Sequence, residues 1–258
     1  MRLRTLVLLV ALFCGGFYWA GGQLSTLVNS DKRVQLSQFV DTGTALSRET
    51  VGTASRLIRL FSIKDAVAQA RQGKTLVPLP RIPLAMQQAI LAMEDQRFYQ
   101  HWGLDPEGIL RATLVNLQSG DVVEGGSTIT QQLAKNLFLS QEQTLGRKFE
   151  EALLALALER AYTKEELLEL YLNSIYFGSG AWGIADASQR YFAKTPNELS
   201  LAECALLAGL PNAPSLTSPL EHPQAARQRR QLVLDTMVRR GLVGPKQAQE
   251  AAAQPLVP

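Results

Sequence analysis

The chain has 258 residues, 46% of them hydrophobic and 19% charged, with a net charge of +3. This balance is that of a folded protein with a substantial core and excludes an intrinsically disordered chain. The mild positive charge gives no argument for a nucleic acid as partner.

Along the chain, Thr5 to Gly22 carry no charge and are mostly Leu, Val, Ala and Phe. About 18 such residues just cross a bilayer core. Arg2 and Arg4 precede them, which favours an inside N-terminus and an outside body. A cleaved signal peptide shares this charge pattern. The stretch is long for one, however, and Trp19-Ala20-Gly21-Gly22 makes a weak cleavage site. Residues 1–22 are therefore expected to form a cytoplasmic tip and a retained transmembrane anchor. Cys14 would sit inside that anchor, so a disulfide with Cys204 is not expected. The two histidines, His101 and His222, lie far apart without cysteine partners, and nothing resembles a zinc site.

Residues 23–75 read as a polar, loosely patterned linker. Within it Val51, Ala54, Leu57, Ile58 and Phe61 recur at helical spacing, with Arg56, Arg59 and Lys64 among them. An amphipathic helix of this kind lies on the outer leaflet or packs on the body. Pro78, Pro80 and Pro83 then punctuate the entry to the main domain, 76–258. From Leu84 onward helical patterns dominate. Leu84 to Met93 lead into Glu94, and 106–118, 130–139, 144–161, 164–173, 184–193, 198–210, 222–240 and 245–253 all favour helix. Alternating strand patterns are nearly absent, which predicts a mainly α domain.

Three polar motifs interrupt these helices. Glu94 ends an apolar helix and opens the turn Asp95-Gln96-Arg97-Phe98-Tyr99-Gln100-His101-Trp102-Gly103. A carboxylate at such a border suits a general base if partial desolvation raises its pKa. Asp95, Arg97 and His101 are expected to hold the turn by side-chain bonds, with Phe98 and Trp102 anchoring it in the core. In the second motif, Gly125-Gly126 permits unusual backbone angles and close approach to a ligand. Ser127, Thr128 and Thr130 add hydroxyls, and Gln132, Lys135 and Asn136 share one helical face. Together they offer donors for sugar hydroxyls and phosphate oxygens. The third motif opens a helix with Thr144 as N-cap. Arg147 and Glu151 are i,i+4 neighbours, and Lys148 lies beside them. Ala152 to Leu158 are apolar all round and predict burial on every side. Two smaller features read as structural: Tyr171 to Gly180, where a helix ends and turns on glycines, and Arg227, Arg229 and Arg230, a solvated basic face or one facing anionic lipid.

In this order, these motifs resemble the peptidoglycan glycosyltransferases, the family 51 glycosyltransferases. That family comprises the N-terminal catalytic domains of class A penicillin-binding proteins and stand-alone monofunctional enzymes. The resemblance spans about residues 76–245 and includes Tyr171-Leu172-Asn173, Gly178-x-Gly180 and Arg230-x-x-Val233-Leu234-x-x-Met237. It implies a lysozyme-like, two-lobed, mainly α fold whose smaller lobe touches the membrane. The implied activity is polymerisation of lipid II outside the cytoplasmic membrane. Glu94 would be the base on the acceptor 4-hydroxyl. Glu151, Lys135, Arg147, Lys148 and Gln132 would bind the donor side and its leaving pyrophosphate, with a divalent cation such as Mg²⁺ a candidate to help. The growing glycan chain, the membrane and other cell-wall synthesis proteins are the implied partners. The chain departs from the family in carrying Gln143 where members usually have Arg, which removes one phosphate-facing cation. Residues 23–75 find no match. No Ser-x-x-Lys or Lys-Thr-Gly signature follows, so a monofunctional enzyme is expected. Two other readings compete: a lipid II-binding scaffold that has lost catalysis, and a lytic muramidase-like enzyme, against which the Lys135/Arg147/Lys148 cluster argues.

Overall fold

The structure, a computed structural model, describes residues 62–71, 76–120, 125–139, 145–211 and 214–257. The anchor expected over Thr5–Gly22 lies outside them, as do Gln143, Thr144 and all but the last residue of the amphipathic pattern from Val51 to Lys64. Among the described residues no helix is long and apolar enough to cross a membrane.

These residues form ten α-helices and one short hairpin, a mainly α chain. The helices are α1 (Ile63–Ala70), α2 (Leu84–Glu94), α3 (Pro106–Ser119), α4 (Ile129–Phe138), α5 (Leu145–Ala161) and α6 (Lys164–Leu172), followed by α7 (Gly183–Phe192), α8 (Leu201–Ala208), α9 (Pro223–Arg239) and α10 (Pro245–Ala253). Local chemistry sets their starts. Thr128 with Gln131, Thr163 with Glu166 and Ser200 with Glu203 each form a capping box, in which two orphan amides at a helix start are satisfied reciprocally. Proline occupies the first turn of α3, α9 and α10, where no amide hydrogen is needed.

Two groups of helices place the site. α2 packs against α8 and α9, and α4 packs against α5 and α6. Met86, Ala89 and Ile90 of α2 and Leu133 and Ala134 of α4 are fully buried, so both helices are held by their apolar faces. Their polar ends, Glu94 and Thr128, meet at the cleft described below.

Several expectations change. α8 starts at Leu201 because Pro196–Glu198 forms a separate 3₁₀ turn and Ser200 caps the helix. Leu154, Ala155 and Leu158 of α5 are buried, but Ala152, Leu153, Leu156 and Ala157 are only half-buried. Among the described residues α5 packs chiefly on α1, α4 and α6. They leave these flanks partly open, so burial on every side is not found. Phe98 anchors its turn in the core, whereas Trp102 is 47% exposed. The turn after α6 is an antiparallel hairpin, β1 (Tyr176–Gly178) with β2 (Ala181–Trp182). Gly178, Ser179 and Gly180, at φ +88°, +49° and +82°, are all left-handed, and glycine makes this easy at the first and last of them.

Candidate active site

Glu94 is the last residue of α2 and lines a cleft with Asp95, Ser127, Thr128 and Arg229. Its carboxylate is held by a relay of two hydrogen bonds. Tyr171 donates its hydroxyl to Gln132 Oε1 at 2.9 Å, and Gln132 Nε2 donates to Glu94 Oε2 at 2.9 Å. Burial pushes the Glu94 pKa above the ordinary carboxylate value. The Gln132 bond and the charges of Arg229 and Lys135 oppose the rise, and Asp95 adds to it. A desolvated carboxylate raised in this way matches the requirement for a base that works near neutrality.

Asp95 and His101 build the frame. His101 Nε2 lies 3.0 Å from both carboxylate oxygens of Asp95. Asp95 Oδ2 also accepts the backbone N–H of Ile129 at 3.0 Å, so an anion sits at the start of α4 where the helix dipole favours it. Arg97 ties the same turn to Asp105, at 3.4 Å, and to Glu107. Thr128 belongs to this frame too. Its hydroxyl donates to Gly103 O at 2.7 Å and accepts from Gln131 N at 3.1 Å, and the residue is 2% exposed. The sequence places Thr128 among the substrate donors, but the structure commits its hydroxyl to capping α4 and joining it to the Glu94 turn. Gly126 is not there for unusual angles. A Cβ on it would come within 3.3 Å of Ile109, so glycine lets the loop pack on α3.

Ser127 links the cleft to α5. Lys148 Nζ donates to Ser127 Oγ at 2.9 Å and is paired with Glu151. Glu151 is only 2% exposed, so it reaches the cleft through Lys148 and Ser127 rather than by facing it. A buried carboxylate of this kind fixes its lysine by charge pairing. Arg147, one residue before Lys148, is half-buried, as are Lys135 and Asn136 on α4.

Sequence reasoning missed the part played by α9. The run Arg227, Arg229, Arg230 is not a solvated face. Arg227 is exposed, but Arg229 lines the cleft and anchors its Nε on Gly209 O at 3.0 Å. Arg230 is 3% exposed and donates to the carbonyls of Pro255, Ala252 and Gln254 at 2.9, 2.8 and 2.7 Å. Helical phase was the available signal. Arg230 lies three residues before Val233 and four before Leu234, on the face that α9 buries. Arg111 and Arg239 also line the cleft. Asn173 and Ser179 are used internally: Asn173 bonds both backbone groups of Val77, and Ser179 Oγ meets Ser218 Oγ at 3.2 Å.

α3 borders the cleft and keeps little of itself covered. Leu110, Leu114 and Leu117, one helical row, are 61%, 51% and 61% exposed. Among the described residues no three His, Cys, Asp or Glu side chains converge as metal ligands.

The transglycosylase family model matches residues 62–238. Penicillin-binding protein 1A of Aquifex aeolicus is 52% identical over 185 residues, 72% of this chain and 26% of that protein. A Cupriavidus necator protein with a provisional transglycosylase name is 45% identical over 192 residues, 74% of this chain and 83% of that protein. Among solved structures, penicillin-binding protein 1A from Haemophilus influenzae covers 71% of this chain and 18% of its own, at 26% identity and a TM-score of 0.43. The chain thus spans about a quarter of the Aquifex relative and most of the Cupriavidus one.

Proposed function

The chain belongs to the transglycosylase family, and from that premise we propose that it polymerises lipid II into β-1,4-linked glycan at the outer face of the cytoplasmic membrane. Glu94 takes the proton of the acceptor 4-hydroxyl. The oxygen bonds to the donor anomeric carbon from the face opposite the pyrophosphate. The bond from that carbon to the phosphate oxygen breaks, and its electron pair leaves with undecaprenyl pyrophosphate, so the configuration inverts. The observation that carries this reading is Glu94: a half-buried carboxylate, raised in pKa, oriented by a donor and facing a cleft.

Positive charge near a departing pyrophosphate stabilises the charge that develops there. In this reading Lys148, aimed at Ser127 and held by Glu151, does that work together with Arg147, Lys135 and Asn136, and Arg229 adds a cation in the cleft. A divalent cation belongs to the proposal only as an ion carried by the pyrophosphate. The two-lobed, lysozyme-like arrangement is likewise part of the proposal. So is membrane contact through the Leu110, Leu114 and Leu117 row, because exposed apolar rows of this size mark interaction surfaces.

The test is polymerisation of labelled lipid II by the detergent-purified full chain, with Mg²⁺ and with chelator. A ladder of lysozyme-sensitive glycan is expected. Binding of lipid II without chain growth would support the scaffold reading instead. Release of fragments from finished sacculi would support the lytic one.

A further inference from the structure

We propose that Tyr171 is a positioning residue for the Glu94 base, acting through the orientation of the Gln132 side-chain amide. The inference rests on reading Glu94 as the base. It adds a residue from the end of α6 that does not line the cleft.

Tyr171 is fully buried, and its hydroxyl donates to Gln132 Oε1 at 2.9 Å. A primary amide fits its site equally well in two orientations, and its partners choose between them. In the orientation found, Nε2 donates to Glu94 Oε2 at 2.9 Å. A flip would bring Oε1 against the carboxylate and deprive the buried tyrosyl proton of this acceptor. Both changes cost free energy, because an unpaired buried polar group keeps its full desolvation penalty. Tyr171 stays protonated under working conditions. Burial pushes its pKa well above the usual tyrosine range, and the nearby carboxylates of Glu94 and Asp95 push it further. The hydroxyl therefore keeps a proton to donate, and the amide orientation that accepts it is the one that presents N–H to Glu94.

The other charges near Glu94 cannot substitute for this control. Lys135 comes from α4 and Arg229 from α9, and Asp95 follows Glu94 directly. α8, which also packs on α2, carries one carboxylate, Glu203, and that is paired with Lys194. Each of these groups has a fixed sign. Gln132 is a neutral neighbour whose effect on Glu94 inverts when it turns over, and Tyr171 holds it in place.

In Tyr171→Phe the shape stays and the lock is lost. Glu94 then becomes harder to ionise, and the acid limb of the pH–rate profile moves to higher pH. At a fixed pH on that limb, kcat falls about three- to tenfold, the size expected for one hydrogen bond to a charge. KM for lipid II stays at the wild-type value. The experiment follows kcat and KM across pH for the full-length, detergent-purified wild type and Tyr171→Phe. In parallel it titrates Glu94 by carbon-13 carboxyl NMR, with Glu94→Gln identifying the resonance and no lipid present. A higher Glu94 midpoint in Tyr171→Phe, with the loss confined to kcat, supports the inference. Coincident midpoints, or a loss confined to KM, overturn it. If the wild type makes no glycan, the polymerase reading falls and the titration alone decides the inference. Should Tyr171→Phe fail to fold, 3-fluorotyrosine at position 171 carries the test. Its stronger donor must lower the Glu94 midpoint, and an unmoved midpoint refutes the proposal.

Discussion

Three arginines within four positions of α9 make the sharpest prediction, because the structure gives each a different fate. Arg230→Met removes three bonds from a buried guanidinium to the carbonyls of Ala252, Gln254 and Pro255. Hydrogen bonds to a charged group contribute about 1.5–3 kcal/mol each. Gln254 and Pro255 are exposed, so water replaces part of the loss. A net destabilisation of about 2–4 kcal/mol follows, or roughly 5–15 °C in Tm for a body of this size. Arg229→Gln loses one bond, to Gly209 O, and should cost about 1 kcal/mol or less. Its effect is on function: with one cation removed from the cleft, Glu94 is harder to ionise, so the acid limb moves up and turnover falls. Arg227→Gln, on an exposed residue, should change neither. Thermal melts by circular dichroism and lipid II polymerisation across pH separate the three. An Arg230→Met variant melting with the wild type would refute the buried cap. An Arg229→Gln variant with wild-type kinetics would refute its place in the cleft.

Glu94→Gln should raise Tm at neutral pH. The folded pKa of Glu94 lies above the ordinary carboxylate value, so above the folded value the folded state carries the whole burial penalty. As pH falls through the window between the two values, the folded state binds its proton first and regains that stability. The advantage of Gln should therefore shrink towards acid, and one that grows there would contradict the assignment. Thr128→Ala should cost about 1–2 kcal/mol through the lost cap, with KM for lipid II unchanged and Thr128→Ser restoring stability. A KM effect would return Thr128 to the substrate. Replacing Leu110 and Leu117 by Glu should reduce flotation of the full chain with liposomes while moving stability by about 0.5 kcal/mol or less. Unchanged flotation would remove the row from the membrane contact.

Much of this molecule was legible because its signals are local. The helices after Leu84 announce themselves by apolar period, and Ser/Thr-x-x-Glu/Gln marks the starts of α4, α6 and α8. The polar motifs are local in the same way: Glu94, Ser127, Gln132 and Lys148 come together through one helix end and two helix starts. What stayed hidden depends on distance in sequence. Arg229 reaches Glu94 from 135 positions away, and only the packing of α9 on α2 brings it there. Thr128 looked like a ligand because a hydroxyl in a polar motif reads the same whether it faces substrate or Gly103 O, 25 positions back. Trp102 looked like an anchor on residue type alone, yet aromatic side chains at a turn can equally face outward. Glu151 carried charge into a helix whose apolar run follows it, and its pairing with Lys148 resolves that conflict.

The account stands or falls on Glu94, and the most direct test separates its binding from its chemistry. Wild type and Glu94→Gln, full length and in detergent, would be given the same labelled lipid II, with bound lipid and polymer read from one sample. The account predicts equal binding in both and glycan from the wild type alone. Glycan from Glu94→Gln at the wild-type rate would contradict it, whatever else the cleft contains.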